Sequence, residues 1–154
     1  MDILTITIAI IGAVVAIQQF LLSNEQFKSD MFEKRLAIFN AIQDYLAETI
    51  AARKGSIERV QKFHANTLTA SFLFNDEIAT FISDLERKGQ ELQYFDLNLD
   101  QLGTGDDKQN ERHQFAQNKI NLLDGLIDTQ KQLKDKFAPY LTFSRWKFGF
   151  IIPR

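Results

Sequence analysis

The chain has 154 residues, 45% of them hydrophobic and 25% charged, with a formal net charge of −2. That length suits one folded domain with a core and is too short to expect two. There is no cysteine, which excludes disulfides, thiolate metal sites and cysteine nucleophiles, and the net charge is too small to argue for a partner by itself.

The distribution of charge says more than its sum. Between Asp76 and Asp107 nine acids face only Arg87 and Lys88, whereas from Leu133 onward five cations face only Asp135. The middle is therefore acidic and the end basic. Phenylalanine occurs 14 times and proline twice, and long proline-free stretches favour uninterrupted helices.

Residues 3–22, ILTITIAIIGAVVAIQQFLL, contain no charge. A helix of twenty residues rises about 30 Å, the hydrocarbon thickness of a bilayer, so a retained transmembrane helix is expected here. Thr5 and Thr7 can bond back to their own helix, and Gln18 and Gln19 lie near one end of the run. Two alternatives stand beside it. A cleaved signal peptide, ending near Val14-Val15-Ala16, lacks the cationic start that such peptides need, since Asp2 follows Met1. A core helix apolar on every face would be unusual in so small a domain. Lys28, Lys34 and Arg35 follow the span closely, and the positive-inside bias then places the rest of the chain in the cytoplasm, as a single-pass protein. Ala9, Gly12, Ala13 and Ala16 recur at spacings of three and four, a small-residue stripe along which a second helix can approach.

Residues 24–142 read as a helical bundle. One long helix is expected from the span to about Arg53, with Ser23-Asn24 as the place where a kink could fall, carrying Phe27, Met31, Ile38, Ile42, Tyr45 and Ile50 at helical spacing and Phe32, Leu36, Phe39 and Leu46 widening the face. Gly55 offers it a C-terminal cap. Ser56 caps a second helix through Val60, Phe63, Leu68 and Phe72, although HANTLTASF is a row of weak helix formers. Asn75 caps a third, with Asp76 and Glu77 suited to the positive end of its dipole. That helix buries Ile78, Phe81, Ile82, Leu85 and Leu92, tolerates Gly89 and fades near Phe95. LNLDQLGTGDDKQN is the one clear loop. A last helix runs from about Lys108 to Phe137 on Phe115, Leu122, Leu123, Leu126, Leu133 and Phe137, and Pro139 marks its end. The fold class expected is all-α: the transmembrane helix continuing into a three- or four-helix antiparallel bundle.

Catalytic patterns are absent. A di-iron bundle places Glu three residues before His, but Gln61 and Asn110 hold those places before His64 and His113. Glu111 and His113 are two apart and point to different sides of a helix. GTGDD puts acids where a phosphate would bind, and FNDEIATFISDLERKGQE lacks the alternating oxygen ligands and central glycine of a calcium loop. The chain is therefore expected to be no enzyme, to hold no metal or cofactor, and to bind no nucleic acid; a small-molecule ligand is left open.

Residues 143–154, FSRWKFGFIIPR, interleave rings, isoleucines and cations without an acid. Beside a membrane, Trp146, Phe148, Phe150, Ile151 and Ile152 suit the interface, and Arg145, Lys147 and Arg154 suit anionic head groups. The alternative is that the segment packs back on the bundle near Phe27 and Phe32.

At MFEKRLAIFNAIQDYL, SFLFNDEIATFIS and LKDKFAPYLTF the sequence resembles a broad group of small bacterial single-pass membrane proteins with a helical cytosolic part. The resemblance implies packing signatures and no catalytic residue. With that resemblance, the function expected is a non-enzymatic helical protein anchored in a bacterial inner membrane that self-assembles or docks a protein partner at the cytoplasmic face. The alternative is a signalling, stress or defence component acting through helix repacking or multimeric permeabilisation.

Overall fold

The computed structural model describes residues 3–102 and 108–142, with side chains from Ile10 onward. It is all-α, with no strand among the described residues: α1 (Ile3–Ala52), α2 (Ile57–Thr67), α3 (Ala70–Leu73, a single turn), α4 (Asp76–Gln101) and α5 (Gln109–Leu141). The chain divides into two compact units, Met1–Lys34 and Arg35–Arg154.

Within the second unit, α4 is the element on which α2, α3 and α5 pack. Neighbours along the chain run antiparallel. On α1 and α2, Tyr45 stacks on Phe63 at 4.2 Å and Glu48 lies 3.7 Å from Lys62. On α4 and α5, Asp96 meets Lys119 at one end and Glu77 meets Lys136 at the other. Short connections leave no other economical path, and the bundle follows. Ile42, Leu46, Leu85, Leu92, Leu126 and Phe137 are fully buried at its centre, as their three- and four-residue spacing requires.

The caps explain most boundaries. Ser56 accepts from the Arg59 N–H at 3.3 Å and Asn75 from the Ile78 N–H at 3.2 Å, each satisfying one orphan donor of its helix. The end of α1 differs from expectation. Arg53, not Gly55, takes the left-handed conformation, with φ 47°, and its N–H donates to the Thr49 carbonyl at 3.0 Å. Arg59 reaches back to donate to the carbonyls of Glu48 and Lys54, so a cation from α2 covers the negative end of α1.

Gly55 is required for another reason. A Cβ there would lie 2.2 Å from the backbone N and Cα of Gln93, and its N–H donates to Asp96 Oδ2 at 2.6 Å. Asp96 is 7% exposed and also accepts from Lys119 Nζ at 2.5 Å. One carboxylate thus ties the α1–α2 turn and α5 to α4. This tie is why α4 does not fade near Phe95 but continues to Gln101. Asp96→Asn is expected to lower stability by about 2 kcal/mol, because the amide keeps one acceptor oxygen but loses the charge that holds Lys119 and turns an NH2 group toward one of the two donors. Urea unfolding would measure it, and a midpoint shift of similar size in Lys119→Met, with coupling in the double variant, would assign the loss to this tie.

Three further expectations are corrected. The second helix stops at Thr67, whose hydroxyl donates to the Phe63 carbonyl at 2.9 Å and competes with helix continuation. Leu68 (65% exposed) and Phe72 (85% exposed) therefore lie outside the core, and Ala70, Leu73 and Phe74 are buried instead. Pro139 does not end α5; it lies inside the helix, which runs to Leu141. Proline removes one donor in a last turn that Tyr140 holds by packing edge-on against Phe74 at 5.3 Å. Phe27, expected on the buried face of α1, is exposed.

Candidate functional site

The surface that needs explaining belongs to the first unit. Ile10, Ile11, Val14, Val15, Ile17, Phe20, Leu21 and Leu22 are each 43–70% exposed. Successive residues of a helix turn by about 100°, so these eight side chains spread over more than half of the circumference, and no single neighbouring helix could cover them all. Gly12, Ala13 and Ala16 are uncovered as well, and a Cβ at Gly12 would meet nothing within 4 Å. The side chain of Ala9 lies outside the described ones. Among the described residues, no helix is long and apolar enough to cross a membrane. The uncharged run starts earlier, at Ile3, and its side chains before Ile10 also lie outside that statement.

The bundle offers a weaker candidate. A groove of about 640 Å³ runs between α4 and α5, lined by Phe81, Lys88, Thr129, Gln132 and Tyr140 among others. Four of its five charges are engaged; the fifth, Asp135, is not among the paired ones. Lys136 binds Glu77 at 2.7 Å and lies 5.3 Å over the Phe81 ring. Asp84 accepts from Arg87 at 2.5 Å and pairs with Lys88 at 2.9 Å, and the Lys88 and Arg87 hydrogen bonds hold its carboxyl below the usual range. A site whose two cations are both paired has little left for an anionic ligand, and no nucleophile sits beside a base.

The histidines are likewise occupied. His64 Nδ1 lies 2.9 Å from Glu86 Oε1, and His113 Nδ1 lies 2.8 Å from the Gln109 carbonyl one turn back. Among the described residues no cluster of three or more His, Cys, Asp or Glu side chains could hold a metal ion. Tyr45 is the buried titratable group of α1. Burial pushes its phenol up, so it stays a neutral donor, with the Leu85 carbonyl 3.5 Å away.

One arrangement was not legible in the sequence. Arg35 Nε donates to the Leu73 carbonyl at 2.9 Å, and its guanidinium lies 5.8 Å from the Phe74 ring and 5.9 Å from the Tyr140 ring. The planar, weakly hydrated cation suits an aromatic cleft. In the sequence Arg35 counts only as one more flanking cation; its ring partners are 39 and 105 residues away.

No protein-family model matches the chain. No curated protein and no solved structure matches it either. Its physical surfaces are what bear on function. The predicted interface residues Arg145, Trp146, Lys147, Phe148, Phe150, Ile151 and Ile152 lie outside the described residues.

Proposed function

We propose that the protein is a membrane-anchored, non-enzymatic helical protein, held in a bacterial inner membrane by its N-terminal apolar helix. Its bundle is presented at the cytoplasmic face, where it self-assembles or docks a protein partner. The observation that carries this reading is the set of eight large apolar side chains left uncovered between Ile10 and Leu22. At 1.5–3 kcal/mol for each full burial, and with roughly half of each exposed, moving them out of water is worth about 10 kcal/mol. A single partner helix recovers only a stripe of that, whereas lipid covers the whole circumference. The sequence extends the same uncharged run back to Ile3, which brings it to about 30 Å of helix. Lys28, Lys34 and Arg35 on its C-terminal side set the orientation.

Membrane fractionation tests the anchor. The protein is expected to remain in the membrane pellet through salt and carbonate washing, and deletion of residues 3–22 is expected to release it. Release of the intact chain by carbonate would refute the anchor. Self-assembly has its own test. Gly12→Ile and Ala16→Ile place bulk on the small-residue stripe and are expected to weaken crosslinked oligomers at least severalfold; unchanged oligomers would remove that stripe from the assembly.

A further inference from the structure

The groove between α4 and α5 combines an apolar floor with an unmatched charge. It runs from Glu77 to Lys88 on α4 and from Thr129 to Tyr140 on α5, three turns of each helix and about 16 Å of length. Ile78 and Leu133, both buried, contribute the floor, and the volume of about 640 Å³ is that of a ligand-binding cleft. Three acids, Glu77, Asp84 and Asp135, share it with two cations, Lys88 and Lys136. Glu77 holds Lys136 at 2.7 Å and Asp84 holds Lys88 at 2.9 Å. Lys131, one turn before Asp135, is paired with Asp128 at 2.8 Å. The exposed carboxylate of Asp135 is therefore the surplus charge of the groove.

The bundle's own side chains show what such a surface takes. The Lys136 ammonium lies 5.3 Å over the Phe81 ring while bound to Glu77, and the Arg35 guanidinium lies 5.9 Å from the Tyr140 ring. Phe81 and Tyr140 both line the groove. Rings beside an unmatched carboxylate attract a cation through the ring quadrupole and through charge together.

Shape narrows the class further. About 640 Å³ spread over about 16 Å leaves a cross-section of about 40 Å². A helix about 10 Å across needs roughly twice that area. An extended chain rises about 3.3 Å per residue, so about five residues fill the length, with alternate side chains turned to one face. Its main-chain polar groups need partners. Among the described residues, the Gln132 amide and the Tyr140 hydroxyl have no hydrogen-bond partner, and both line the groove.

We propose that the α4–α5 groove docks an extended segment of a partner protein, about five residues long, that sets an arginine or lysine against Asp135 and apolar side chains over Phe81 and Tyr140. This site rests on the partner docking proposed above and gives it a place and a chemistry.

The probe is the peptide Leu-Ser-Arg-Ser-Leu, whose leucines and arginine share one face when extended. It would be titrated into the isotope-labelled full chain in zwitterionic micelles and followed by amide NMR. Saturable shifts are expected within residues 77–88 and 129–140. Leu-Ser-Gln-Ser-Leu, which lacks the cation, is expected to bind about fivefold more weakly, the upper range for an exposed ion pair. Asp135→Asn is expected to erase that preference with the unfolding midpoint unchanged, since Asp135 holds no partner in the fold. Equal binding of the two peptides by wild type, a preference that survives in Asp135→Asn, or no shift in these segments at millimolar peptide would overturn the proposal. Tighter binding of n-pentylammonium would reassign the groove to a small organic cation, and binding seen only after removal of residues 143–154 would reassign it to the chain's own end; either overturns the proposal. A photo-crosslinking residue at Gln132, or at Gln61 on α2, separates this site from the reading beneath it. In permeabilised cells, adducts from Gln132 that the arginine peptide displaces are expected. Adducts from Gln61 alone would overturn the groove and leave partner docking standing, whereas none from either position would refute both.

Discussion

Phe137→Ala is expected to destabilise the bundle by about 3–5 kcal/mol, the range for removing a fully buried phenylalanine ring. Phe137 is 0% exposed. Its ring packs edge-on against Phe74 at 5.3 Å, Phe39 at 5.6 Å and Phe81 at 6.3 Å, so it joins α1, the α3–α4 connection, α4 and α5 at a single point. Edge-on aromatic pairs add about 0.5–1.5 kcal/mol each beyond burial, and the surrounding rings cannot collapse into the space without leaving their own neighbours. Thermal unfolding followed by circular dichroism should show a fall of about 10 °C, at 2–4 °C per kcal/mol for a chain of this size. Phe137→Leu, which keeps most of the volume, should cost less than half as much. A loss below 1 kcal/mol in the alanine variant would mean that the four rings do not form one core.

Gly55→Ala is the second large effect, expected to cost about 3 kcal/mol or more. The added methyl would sit 2.2 Å from backbone atoms of Gln93, far inside contact distance. Backbone cannot rotate aside as a side-chain tip can, so the α1–α2 turn must lift from α4. Lifting it also stretches the 2.6 Å hydrogen bond from Gly55 to buried Asp96, which leaves a charged acceptor short of a donor. Gly89→Ala provides a graded comparison. There the methyl would meet the Tyr45 hydroxyl at 1.9 Å and Val60 Cγ2 at 2.8 Å, both side-chain atoms, and alanine's better helix propensity returns about 1 kcal/mol; the net loss should be smaller. Gly125→Ala meets nothing within 4 Å and should stabilise α5 by about 1 kcal/mol. Urea midpoints should therefore rank Gly125→Ala above wild type, then Gly89→Ala, then Gly55→Ala. A tolerated Gly55→Ala would show that α4 and the turn are not in backbone contact.

The sequence carried the caps because a cap is a local event. Ser56 and Asn75 each act on a donor three residues away, so their meaning is complete within one turn of chain. The apolar stripe of α4 was legible for the same reason, since Ile78, Ile82, Leu85 and Leu92 fall on one face whatever lies opposite. The stop at Thr67 was only half legible. Weak helix formers marked the place, but Leu68 and Phe72 look like core residues until the chain turns to bury Ala70, Leu73 and Phe74 instead. Of the candidate membrane surface, the uncharged run from Ile3 was fully visible in the sequence. That the side chains from Ile10 to Leu22 stand exposed could be learned only from the structure.

What the sequence determined by itself, then, is everything set by neighbours within a few residues: helices, caps, the uncharged N-terminal run, and the acidic middle and basic end. What the tertiary structure alone decided is which distant groups meet. Gly89 reads as a tolerated weakness and proves to be the place where Tyr45 and Val60 press against α4. Asp96 reads as one acid among nine and proves to be a buried tie to Gly55 and Lys119. Arg35 reads as a flanking cation and proves to pin the end of α5. The physical reason is common to all three. Helix period fixes the face on which a side chain lies, but the element opposite that face is chosen by the packing of the whole bundle.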